Sequence, residues 1–148
     1  MELKTYKLYY AGKLMRWGKG TVVKNAKGFV FLGGAEGRHP DTDDVVEGAE
    51  AQTRMCFEKI KANLEEMGTS LDNIIKMTFY VVHDFSGDLA SAPTWVTAVR
   101  VRNEFFREHA PQFCDDDNPP TLDLVGVAAL ARKEMLIEIA VVAAIPDE

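Results

Sequence analysis

Cysteine is scarce in this chain. Cys56 and Cys114 are the two in 148 residues and they form no C-x-x-C pair, which argues against a secreted disulfide framework and against a thiolate zinc site. Clustered positive charge is missing too. The Lys and Arg residues are scattered, the net charge is -6 and the sequence pI is about 5.1, so the chain lacks the basic face that nucleic acid requires. There is no G-x-G-x-x-G and no Gly-Lys-Ser/Thr of a nucleotide loop. The N-terminal MELKTYKLYY holds no apolar run resembling a secretory signal. The two longest apolar runs, residues 121–130 and 135–145, are too short to cross a membrane as helices. A soluble protein in a reducing, cytoplasmic setting is the expectation.

What is present suits one folded unit. At 148 residues and 47% hydrophobic composition the chain reads as a single domain, 1–148, with enough apolar material for a core. The two apolar runs, joined by Ala131-Arg132-Lys133-Glu134, predict adjoining strands with a short connection. Each contains one carboxylate. Strand alternation turns Asp123 outward. Around Glu138, however, Leu136, Ile137, Ile139, Ala140, Val141 and Val142 leave no polar face, which places the carboxylate at a subunit contact or in a pocket.

Upstream, residues 3–10 alternate as a strand, and residues 12–20 read as a loop carrying Met15, Arg16 and Trp17, with Trp17 more a packing or interface residue than a ligand platform. A hairpin is expected from residues 21–24 and 29–32 around the turn at Asn25-Ala26-Lys27-Gly28. Residues 33–44, GGAEGRHPDTDD, form the most polar loop, where Gly33, Gly34 and Gly37 permit close backbone approach and Glu36, Arg38 and His39 bring charge. Apolar spacings of three and four predict a helix over 46–67, ended by Gly68, with Cys56 buried on its stripe. A central strand over 74–82 follows. A second helix is expected over 95–109, capped by Thr94. The aspartates at 115–117 lack the Gly and distant Glu of a calcium loop and read as a solvated segment.

The element order is three strands, helix, strand, helix, two strands, which is α+β with a mixed sheet. Two helices cover one face. With strands apolar on both sides, the other face calls for another copy of the chain, hence a homo-oligomer.

This order, together with Glu50-Ala51-Gln52-Thr53-Arg54, GTSLDNIIK at 68–76, Asn103-Glu104-Phe105-Phe106 and the closing VGVAAL…LIEIAVVA, resembles the Rid family of reactive intermediate deaminases, also called YjgF. The likeness runs from about Lys19 to Ile145. It implies a chorismate-mutase-like α+β fold with a six-stranded mixed sheet under two helices, and a homotrimer with clefts lined by two chains each. Its best-known members hydrolyse enamines and imines to 2-oxo acids and ammonia without a cofactor. Their Pro-x-Arg motif, whose Arg clamps the substrate carboxylate, falls on Pro120-Thr121-Leu122, so Leu122 stands at the Arg position. The family's Cys falls on Leu124, its Tyr on Trp17, its Ser on Gly33 and its Asn on Val99. Only Gly34 and Glu138 match.

Loss of a bidentate Arg removes on the order of a hundredfold in carboxylate affinity. One expectation is therefore a divergent deaminase or hydrolase for a larger, more apolar enamine-like or ring-derived small molecule. Glu138 would be its general acid/base, the Gly33-Gly34 backbone would offer N–H donors, and Trp17, Val99, Leu122 and Leu124 would form the walls. Arg38 or Arg16 would meet an acidic substrate. The opposite expectation is a non-catalytic trimer that binds an apolar metabolite or a partner protein, with Glu138 as a structural acceptor. Ribonuclease activity, claimed for some relatives, finds no support in an acidic chain without a His pair.

Overall fold

The computed structural model describes residues 1–114 and 120–147; the aspartates at 115–117 lie outside them. Strands β1 (Glu2–Tyr10) and β2 (Lys13–Lys24) form an antiparallel hairpin closed by Ala11 and Gly12. Both turn residues have positive φ, 49° and 75°, the mirror-image turn whose twist matches that of two paired strands. Residues 13–20 are therefore strand, not the expected loop, and Trp17 sits on it. The hairpin register is irregular where Gly20, Gly18 and Leu14 meet β1, so the glycines mark bulges within the strand.

β3 (Gly28–Phe31) does not pair with β2 as expected. It pairs antiparallel with β7 (Ile137–Ile145), Val30 opposite Ala143 and Phe31 opposite Val142. The two-residue turn gives β2 its partner in β1, and Val30 fits beside Ala143 over the core. β4 (Ala35–Glu36), unforeseen because two residues carry no periodicity, also pairs with β7 and raises the strand count to seven. The sheet order is β1-β2-β6-β5-β7-β3, with β5 (Ile74–Val82) central. β6 (Thr121–Val127) runs parallel to β5, and β7 runs antiparallel to it. So the sheet is mixed, and β6 and β7 flank β5 rather than adjoin.

Helices α1 (Ala49–Glu66) and α2 (Pro93–His109) pack on one face. α1 starts later than its apolar pattern, because Val46 remains in the preceding loop, its N–H donating to Gly37 O at 2.9 Å. Gly68, at φ 85°, follows its end. Thr94 makes no capping bond; α2 opens instead on Pro93, whose fixed φ suits a first turn. Phe57 lies between the helices, stacked on Phe105 at 5.6 Å and edge-on to Phe106 at 5.3 Å. Beneath it are Met77, Phe79 and Val81 of β5 and Ile137, Ile139 and Val141 of β7, all buried. Alternation sends Thr78, Tyr80, Glu138, Ala140 and Val142 to the other face. That face also shows Phe29 and Phe31, which are 49% and 76% exposed. Among the described residues no helix is long and apolar enough to cross a membrane.

Candidate functional site

A cavity of about 790 Å³ lies between the first half of β2, β6 and α2. β2 and β6 are in register only at Gly18 and Thr121, where the Gly18 N–H donates to Pro120 O at 3.0 Å and the two threonine hydroxyls, Thr21 and Thr121, bond at 2.8 Å. Beside that contact Trp17, Val99, Leu122 and Leu124 converge on the cavity, together with Trp95. Four residues that sequence reasoning singled out are thus neighbours. Trp95 opens the helix expected over 95–109; its ring meets Phe79 edge-on at 5.1 Å, so one side of it anchors in the core.

The cavity is less neutral than its walls suggest. Lys13, Arg16 and Arg102 line it, and the carboxylate among its lining residues, Asp123, is held by Lys76 at 2.8 Å. Asp123 is exposed, as strand alternation requires. Arg38 does not line this cavity: it is paired with Asp43 in its own exposed loop, which holds the Asp43 carboxyl below the ordinary range and raises the guanidinium.

Gly33, Gly34 and Glu138 form a second group, across β5 from the first. Glu138 is half-buried on β7, opposite Tyr80 of β5 on one side and Glu36 of β4 on the other. Burial raises its carboxyl above the usual range, and the charge of Glu36 adds to this. Gly34 leaves the Glu138 side chain its place, since a Cβ at that position would lie 2.5 Å from Glu138 Oε2 and push that carboxylate aside. Gly33 has open space around it. Glu36 was legible only as one charge in a polar loop; the register with β7 is what makes it part of the site.

Cys56 is not a nucleophile in this setting. It is fully buried, its thiol donates to Ala35 O at 3.2 Å, and burial pushes it up to about 12. Among the described residues no three His, Cys, Asp or Glu side chains gather as metal ligands.

The chain has clear relatives. The model of the family described as Endoribonuclease L-PSP matches residues 15–145. A RutC family protein of Aquifex aeolicus (strain VF5) is 32% identical over 116 residues, 78% of this chain and 81% of that protein. Another, from Pyrococcus abyssi (strain GE5 / Orsay), is 39% identical over 111 residues, 72% and 80% of the two chains. TdcF of Escherichia coli (strain K12), provisionally named a reactive intermediate deaminase, is 30% identical over 116 residues, 77% of each chain. The crystal structure of E. coli TdcF with bound serine superposes with a TM-score of 0.63 at 27% identity, covering 88% of this chain and 94% of that one. The chain belongs to the YjgF, or Rid, family, whose model carries the description Endoribonuclease L-PSP.

Proposed function

We propose that this protein is a cofactor-independent deaminase or hydrolase for a bulky enamine- or imine-like metabolite, acting in clefts between neighbouring copies of a homotrimer. The observation that carries the reading is the convergence of Trp17, Val99, Leu122 and Leu124, from three separate elements, on one cavity. Its walls suit an apolar or aromatic body. An anionic group on that body would be met by Arg16 at the rim rather than by the loop residue Arg38, which Asp43 occupies. TdcF is described with bound serine; here Leu122 and Leu124 favour something larger.

The chemistry falls to Glu138. An enamine takes a proton on carbon to become an iminium, water adds to the C=N carbon, a proton passes to nitrogen, and ammonia leaves behind a carbonyl. A carboxyl whose proton affinity is raised by burial can give the first proton and accept one from the attacking water. Backbone N–H groups at Gly33 and Gly34 would face the oxygen that develops charge. In one chain β5 stands between Glu138 and the cavity, and a neighbouring copy would bring its own Glu138 to the cavity. The apolar sheet face bearing Phe29 and Phe31 supports that assembly.

Ammonia release from a panel of enamines and imines generated in situ, from 2-aminoacrylate to arylated members, tests the reading. Release from a bulky member, lost by at least a hundredfold in Glu138→Gln on the scale of a missing acid/base, is the expected result. The second reading, a non-catalytic binding protein, is favoured by Leu122 standing where the family resemblance calls for Arg. It predicts a silent wild type, with Leu122→Arg alone acquiring activity on the small acids.

A further inference from the structure

Two carboxylates face each other across the two-residue pairing of β4 with β7. Glu36 and Glu138 are direct partners in the β4–β7 register, and partners of that kind share a face with Cβ atoms about 5 Å apart. Two like charges at that spacing repel, and among the described residues no cation is paired directly with either carboxylate. Gly34 closes one flank of Glu138 without a charge. Tyr80 is its neighbour on β5. From α1, Cys56 turns its thiol to Ala35 O, while Lys59 spends its ammonium on the carbonyls of Glu36 and Arg38, each at 3.0 Å. Arg38 is taken by Asp43. Meanwhile Glu36 Oε2 is buried with no hydrogen-bond partner among the described residues. That oxygen is out of a substrate's reach, and its charge falls on the neighbouring Glu138.

We infer that Glu36 is a positioning residue that acts through Glu138, keeping a proton on it so that Glu138 opens the reaction as a general acid, an inference that rests on the reading of Glu138 as the acid/base of the site. One proton between two facing carboxyl groups removes the repulsion that both would feel ionised. It also supplies what an enamine needs first, a proton for its carbon. Glu138 then becomes the carboxylate that accepts a proton from the attacking water, and the pair ends the cycle with its proton restored. The upward displacement of Glu138, by burial and then by Glu36, runs in the required direction.

The test joins a titration to a rate profile. Protein carrying 13C-carboxyl glutamate is titrated by NMR, the Glu138 signal being the one absent from Glu138→Gln. In parallel, kcat/KM for the fastest arylated enamine of the panel is followed against pH. Removing the neighbouring charge lets Glu138 ionise earlier, so in Glu36→Gln both the Glu138 titration and the alkaline limb of kcat/KM move to lower pH. Glu36→Asp, which keeps the charge, restores both toward wild type; a merely structural role for Glu36 would move neither. Turnover that needs Glu138 while both stay fixed in Glu36→Gln overturns the inference alone. A protein that shows the coupled titration yet turns over nothing in the panel loses the reading of Glu138 as a catalyst, and the inference falls with it.

Discussion

At the scale of single residues, Glu138 carries an energetic consequence separate from any chemistry. Its carboxyl is harder to ionise in the folded protein than in the unfolded chain, through burial first and Glu36 second. Below the unfolded-state range it is protonated in both states and costs nothing; as pH rises through its folded-state value, the ionised form is held in an unfavourable place and stability is lost. Glu138→Gln lacks that ionisation. Thermal melts across pH should therefore show the variant gaining on wild type as the solution becomes more alkaline, and a gap independent of pH would contradict the displacement. Glu138 was legible in the sequence because it interrupts an unbroken apolar run. Glu36 was not, because nothing within GGAEGRHPDTDD says which of its charges lies opposite β7.

At the scale of elements, the helices and β5 were readable because their apolar periods are long, whereas the pairing of strands was not. The signals at Gly12 and at Asn25 both mark turns, and only the two-residue one closes a hairpin. What fixes the distant pieces is a polar side chain that the α1 pattern conceals. Gln52 is 1% exposed. Its amide nitrogen donates to Val46 O at 3.1 Å and Glu134 O at 2.9 Å, and its oxygen accepts from the Leu136 N–H at 2.8 Å. One residue thus ties the loop before α1 and the approach to β7 onto the helix. Gly37 must be glycine beside it, since a Cβ there would fall 2.5 Å from the Gln52 Cγ. Gln52→Leu keeps the volume and strands three backbone groups, so urea unfolding should report a loss of about 3 kcal/mol. A loss under about 1 kcal/mol would mean that the tie is dispensable.

At the scale of the whole molecule, the decisive fact is that β5 stands between the two halves of the candidate site. Trp17, Val99, Leu122 and Leu124 gather on the β6 side, Gly34, Glu36 and Glu138 on the β7 side. Apart from Glu36, sequence alone displays both sets of residues without showing which strand divides them. If turnover uses both, each cleft must take its cavity from one copy and its carboxylate from the next, and defects in the two halves become complementary. Glu138→Gln removes the acid/base and leaves the cavity intact; Val99→Arg fills the cavity and leaves the carboxylate intact. Under the proposed trimeric assembly each variant alone should be inactive. Unfolded together and refolded as an equal mixture, the two chains would assemble at random, and about a quarter of the clefts would unite an intact cavity with an intact Glu138. Ammonia release should return to about a quarter of the wild-type rate. A mixture that stays silent, while mass measurements confirm mixed trimers, would place both halves of the chemistry within one chain or show that Glu138 takes no part in it.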